Sequence, residues 1–266
     1  MAWHINWFSR ELTLKNQFIM KKSILLIIIL FLNFSATKAC DKCSSYNNSD
    51  FKIKSATITH KADLGLTVWD IKVEGTAGKT MPKPVGQLNG APVLAYVFPS
   101  TLKSSDIGFG QAEGIVALAL TSHPDFEDTP LWDENLDGNY LNDGLIWHAH
   151  WVLLVEDKRV GGGLSVKEFT KGDPKVVLPP TNPGMAMYMD SPGFNIVAKG
   201  NSIKVIVPDF RINNKTNFKF DVVSCYMEVS TGAGGSHDSD GSKPMLGVYK
   251  VYTVASGNLS LPYSVK

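Results

Sequence analysis

From residue 51 onward the chain is a series of short apolar runs separated by Gly, Pro, Asn and Asp. Runs of strand length fall at 51–60, 66–74, 92–98, 115–121, 145–156, 175–178, 185–189, 194–198, 202–207, 218–229 and 246–254. They are rich in β-branched and aromatic residues, which suit a half-buried pleated surface. Several alternate at period two, as where Lys250, Tyr252 and Val254 oppose Tyr249, Val251 and Thr253. No window of twelve or more residues in this region sustains a 3.6-residue stripe, so no long helix is expected. The pattern predicts an all-β fold, a single-domain two-sheet β-sandwich or barrel-like structure. Two polar stretches, 122–144 and 230–244, are too long for simple turns. Long loops in a compact β domain more often carry function than merely connect. No linker, repeat or step in composition divides 51–266, which is read as one domain.

The first forty residues have a different texture. From Met20, two lysines precede nine apolar residues, 24–32, and then the small-residue region Ser35-Ala36-Thr37-Lys38-Ala39. That layout predicts a secretory signal over 20–39. Spanning a bilayer takes about 20 apolar residues, so the run is too short for a membrane helix. Residues 1–19 then read as an upstream extension, and Trp3, His4 and Trp7 stay outside any site. Cleavage after Ala39 leaves Cys40 first, a candidate lipid anchor, although Lys38 departs from the usual lipoprotein pattern. The expected location is outside the cytoplasm: periplasmic, a cell-surface lipoprotein, or secreted. Membrane contact is expected only through Cys40. Three cysteines are an odd number in an oxidising compartment, and lipidation of Cys40 would leave Cys43 and Cys225 as a disulfide pair. Cys40-Asp-Lys-Cys43 is accordingly read as anchor plus disulfide at a flexible start, 40–50, rather than as a redox motif.

Composition narrows the classes further. The 266 residues are 44% hydrophobic and 19% charged, with a formal net charge of +1. Without residues 1–39 the charge becomes −3. A disordered chain, a collagen-like repeat and a basic nucleic-acid binder are thereby excluded. Nucleophile-elbow, zinc-protease, phosphate-loop and dinucleotide signatures are missing. Ser236, His237 and Asp238 are triad residue types, but neighbours within one loop seldom converge as a triad.

Two stretches carry metal chemistry. In Trp147-His148-Ala149-His150-Trp151, residues two apart share a strand face, so both imidazoles project together while the tryptophans pack behind. Paired imidazoles suit a transition metal such as zinc, copper or iron. Further ligands are expected from His123 or Asp125, or from His237, Asp238 and Asp240. The His-x-His pattern resembles the metal strand of cupins, but Glu156 lies too far along for that family and no second motif follows. Met185, Met187 and Met189 alternate, and are read as a buried face rather than a copper(I) site.

The second stretch is Asp133-Glu-Asn135-Leu-Asp137-Gly138-Asn139. Alternate oxygen-bearing residues around a glycine at the sixth position can wrap a hard dication. Over these seven residues the segment resembles the calcium loops of EF-hand and dockerin repeats. That resemblance implies calcium held by Asp133, Asn135, Asp137, Asn139 and Asp143, supported by the nearby acids Asp125, Glu127 and Asp128. Gly144 occupies the twelfth position, where those loops carry a bidentate Glu. The sequence therefore predicts an exported metal-binding β protein whose role is binding, with an unidentified ligand or surface partner. A metal-dependent hydrolase or oxygenase using His148 and His150, and an adhesive protein stiffened by calcium, are its rivals.

Overall fold

The computed structural model describes residues 41–129, 133, 136–139, 143–231 and 241–266. It is all-β, as the pattern predicts. The strands are β1 (Ile53–Lys61), β2 (Leu66–Val73), β3 (Pro92–Pro99), β4 (Ile115–Ser122), β5 (His148–Glu156), β6 (Leu164–Val166) and β7 (Met189–Asp190). The remainder are β8 (Asn195–Lys199), β9 (Ser202–Pro208), β10 (Lys219–Phe220), β11 (Val223–Val229), β12 (Leu246–Val254) and β13 (Tyr263–Ser264). Among the described residues, no helix is long and apolar enough to cross a membrane.

One antiparallel sheet runs β1-β2-β9-β8. A larger antiparallel sheet runs β4-β3-β11-β12-β6-β5-β7, and β5 also pairs back onto β4, so its first six strands close into a barrel; β10 and β13 form a separate two-stranded sheet. Closure removes the edges that would otherwise offer unpaired backbone groups. Strands β3 and β4 are buried on both faces along nearly their whole length, which explains why 92–98 and 115–121 read as nearly continuous apolar runs. Leu94, Tyr96 and Phe98 of β3, Leu118 and Leu120 of β4, and Trp151 and Leu153 of β5 face outward into the core shared with the open sheet. Trp69 of β2 is fully buried there, with its ring centroid 5.2 Å from Phe98, 5.6 Å from Trp151 and 5.4 Å from Phe218. Val93, Ala95 and Val97, Ala117 and Ala119, Val152 and Leu154, and Cys225 and Met227 form a second core, the barrel lumen. Met185, Met187 and Met189 are buried in this second core, the apolar role their alternation suggests.

Four details differ from the sequence reading. Residues 175–178 form no strand, since Pro174 precedes them and Pro179 and Pro180 follow. The run 218–229 divides at Asp221, whose buried carboxylate accepts from the Val222 amide and from the Ser256 amide and hydroxyl. Residues 41–50 are not a loose start. Asp41–Tyr46 form a 3-10 turn, Cys43 and Tyr46 are buried, and the Tyr252 hydroxyl donates to the Cys43 carbonyl at 2.7 Å. Finally, Cys43 and Cys225 are not a pair: Cys43 is disulfide-bonded and Cys225 is a free, buried thiol. The physical reason is the barrel wall. Cys43 packs in the core between the sheets, whereas Cys225 points into the lumen. A disulfide needs Cβ atoms that face each other. Cys40 lies outside the described residues.

Candidate metal centre

Strand β5 supplies the two histidines that the sequence singles out. The backbone alternates, so His148 and His150 face inward while Trp147, Ala149 and Trp151 face the outer core. Register brings β4 alongside, with Thr121 opposite His148 and Ala119 opposite His150. His123 follows the end of β4, and the chain then turns to bury Asp128. His123, Asp128, His148 and His150 are each 4% exposed or less. Among the described residues, this is the one group of three or more His, Cys, Asp or Glu side chains whose ligand atoms lie within 4.8 Å of one another.

Distances within the cluster are short. The Asp128 Oδ1 lies 3.1 Å from His123 Nε2 and 3.1 Å from His148 Nε2. Those two nitrogens are 3.1 Å apart, and Asp128 Oδ2 lies 3.4 Å from His150 Nε2. Nitrogen and oxygen ligands about 2.0–2.1 Å from a tetrahedral zinc ion sit about 3.3 Å from one another. Four of the separations, at 3.1–3.4 Å, are close to that edge, and the whole set lies within 4.8 Å.

The far side of each ring fixes its tautomer. His123 Nδ1 lies 2.9 Å from the Phe126 carbonyl, and His148 Nδ1 lies 2.6 Å from the Ile146 carbonyl. A carbonyl only accepts, so each Nδ1 carries a proton and each Nε2 is the ring atom turned toward Asp128. His150 is set by one further step. The Ser191 hydroxyl donates to the Asp128 carbonyl at 2.5 Å, so its oxygen accepts from His150 Nδ1 at 3.0 Å. Among the described residues the Nε2 of His150 has no hydrogen-bond partner, although Asp128 Oδ2 lies 3.4 Å away. Three imidazole Nε2 atoms and a carboxylate thus converge in a buried pocket. A shared proton could relieve one such contact, whereas a cation relieves them all. Hydrogen bonds from the remote ring nitrogen to carbonyls and hydroxyls are also the usual support of metal-ligating histidines.

Electrostatics agree with this assignment. Burial pushes the His150 imidazole down to about 3, against the attraction of Asp128, so it is neutral and available as a ligand at ordinary pH. Burial alone would raise the Asp128 carboxyl. In the ion-free cluster, positive charge shared among the imidazoles and Nε2–H donors on His123 and His148 outweigh that and hold it well below the usual carboxylate range, a role that a bound cation would take over. The Thr121 hydroxyl lies 3.1 Å from His148 Nε2 and steadies that ring.

Gly144 explains the departure from the calcium pattern at its twelfth position. A Cβ there would lie 2.3 Å from the Phe126 carbonyl oxygen and 2.5 Å from His123 Nδ1. The Gly144 carbonyl also accepts from the His123 amide at 2.7 Å. Phe126 stacks on the His123 ring with centroids 3.9 Å apart and planes 2° from parallel. A larger residue at 144 would displace both the ring and the carbonyl that orients it.

The remaining sequence candidates divide as follows. His123, named as a third ligand, joins His148 and His150. Asp125 does not: it accepts from the amides of Val85 and Gly86 and pins that loop. The carboxylate the histidines meet is Asp128, which the sequence reading assigned to the calcium loop; only its spacing from His123 hinted otherwise. Asp133 accepts from the Asp137 and Gly138 amides at 3.1 and 2.7 Å, and Asp137 accepts from the Asn139 amide at 2.8 Å. This is the turn chemistry of Asx residues. Asp143 opens the 3-10 turn Asp143–Leu145. Asn135, His237, Asp238 and Asp240 lie outside the described residues, and Glu156 is exposed at the end of β5. Comparison with family models, with curated proteins and with solved structures finds no match to this chain.

Proposed function

We propose that this chain binds one transition-metal ion of the zinc type through the Nε2 atoms of His123, His148 and His150 and the carboxylate of Asp128. The convergence of three imidazole Nε2 atoms on one buried carboxylate carries this reading. Imidazole and carboxylate ligands suit zinc, copper and iron, and a buried set of four protein ligands favours zinc held for binding rather than turnover. The test is elemental analysis of the purified chain, without a histidine tag, after dialysis against metal-free buffer. One metal ion per chain is expected, falling to a trace in His148→Ala and in His150→Ala. Metal content unchanged by both substitutions would overturn the site.

A metal-dependent enzyme is the second reading. Its support is the cavity described below, whose wall includes three of the four proposed ligands. Export, and anchoring through Cys40, rest on the signal-like texture of 20–39; radiolabelled fatty acid on the intact chain but not on Cys40→Ala would support the anchor. Calcium at Asp133, Asn135, Asp137, Asn139 and Asp143 rests on the loop resemblance. A melting temperature indifferent to millimolar calcium would remove it.

A further inference from the structure

The lumen of the barrel is not completely filled. A cavity of about 90 Å³ runs inside it, walled by Val93, Ala119, Val152, Cys225, Met227 and Val248. His123, Asp128 and His150 also line it, and His150 Nε2 is the buried polar atom there without a hydrogen-bond partner. Close packing leaves few such voids in protein interiors, so an apolar hollow ending at a cluster of metal-ligating groups calls for an occupant. An apolar cavity of about 150 Å³ stays dry and holds benzene or xenon. The lumen is smaller and, apart from the end formed by His123, Asp128 and His150, is lined by apolar side chains. Charged ligands are disfavoured, because an ion loses its hydration without gaining partners along the valine, alanine and methionine walls.

We propose that the lumen binds a small uncharged molecule, with an apolar body smaller than benzene and one lone-pair donor atom directed at the metal. The body lies among Val93, Ala119, Cys225 and Met227. Its donor atom approaches from the side where Asp128 and His150 form part of the wall. The donor needs a fifth position on the metal, of the kind that zinc takes up transiently in catalytic sites. Two small residues on neighbouring strands, Ala95 and Ala119, keep the bore open, since both side chains belong to the lumen core. Cys225 contributes as an apolar wall: burial pushes its thiol up to about 12, so it remains uncharged.

The apolar part of this inference stands without the metal, whereas the donor part rests on the metal site proposed above. Two probes separate them. Xenon added to the full chain is expected to occupy the lumen, seen as a saturable shift in ¹²⁹Xe resonance and as density in xenon-pressurised crystals. Ala119→Leu is expected to abolish it while metal content stays at one per chain. Xenon missing from the lumen of the unaltered protein, or ordered water filling it, would overturn the proposal whatever the variant does. The second probe is dimethyl sulfide, a neutral lone-pair donor, added to cobalt-loaded protein, where a saturable change in the visible bands, lost in Ala119→Leu, is expected. Bands that ignore dimethyl sulfide would overturn the donor part. Failure to take up cobalt would instead refute the metal site and leave the xenon result to decide the lumen.

Discussion

The two faces of the barrel wall are built from the same strands and have opposite character. On the outside, Tyr96, Phe98, Trp151 and Leu153 interlock with Trp69, Ile71 and Val205 of the open sheet. On the inside, the residues between them are Ala95, Val97, Val152 and Cys225, with methionines, a small cavity and the histidine cluster. Large aromatic side chains contribute most of the burial, and offset or edge-on ring pairs add to it. The small lumen residues leave room and contribute less. Stability is concentrated on the outer face, and the chemistry is housed on the inner one.

The sharpest break in that contrast is removal of a ligand. His150→Ala should abolish metal retention, read by elemental analysis, and leave Asp128 buried without the charge that holds it. On the outer face, Trp69→Ala deletes three ring contacts and the bond from its Nε1 to Thr67 Oγ1. The expected cost is about 3–5 kcal/mol in denaturant unfolding, with metal content per folded chain unchanged.

Gly144→Ala tests whether the lumen site depends on its backbone supports. The substitution should weaken zinc binding by calorimetry with only a modest change in melting temperature. Ser191→Ala removes the hydroxyl that orients His150, and should weaken zinc binding by about 10–100-fold. An unchanged affinity in both variants would mean that the rings are held by packing alone.

Acid should separate the faces as well. His150 titrates at about 3 in the folded protein and near 6.5 in an unfolded chain, so on acidification the unfolded chain takes up its proton first. The stability this histidine contributes is present in full above pH 6.5 and is lost as the pH falls toward 3. Metal-free protein should therefore melt at lower temperature at pH 4.5 than at pH 7, and His150→Phe should flatten the dependence. The smallest expected signal is at Cys225. Its buried thiol, pushed up to about 12, should not react with a thiol reagent in the native protein and should react after denaturation. Prompt native labelling would show that the lumen opens to solvent.

Much of this was legible before folding was considered. Period-two alternation and Gly/Pro punctuation place most of the strands, because each signal is local. His148 and His150 fall on one face for the same reason: two residues along a strand is one pleat. The three-residue β6 and two-residue β13 are too short to carry a pattern. The Cys43–Cys225 pairing failed because counting cysteines says nothing about which side of a sheet each one faces.

What the sequence determined by itself is the all-β class, the placing of His148 and His150 on one strand face, and His123 as a nearby donor. Tertiary structure decided the rest. The pairing of β5 with β4 closes six strands into a barrel, and only a closed barrel turns the second face of each strand into a lumen. It also brings Ser191, far along the chain, between His150 and the Asp128 carbonyl. Asp128, rather than the adjacent acids, becomes the carboxylate of the centre because the loop after β4 buries it beside three imidazoles. Local pattern records which way a residue points along its own strand. What it meets there depends on contacts made across the whole chain.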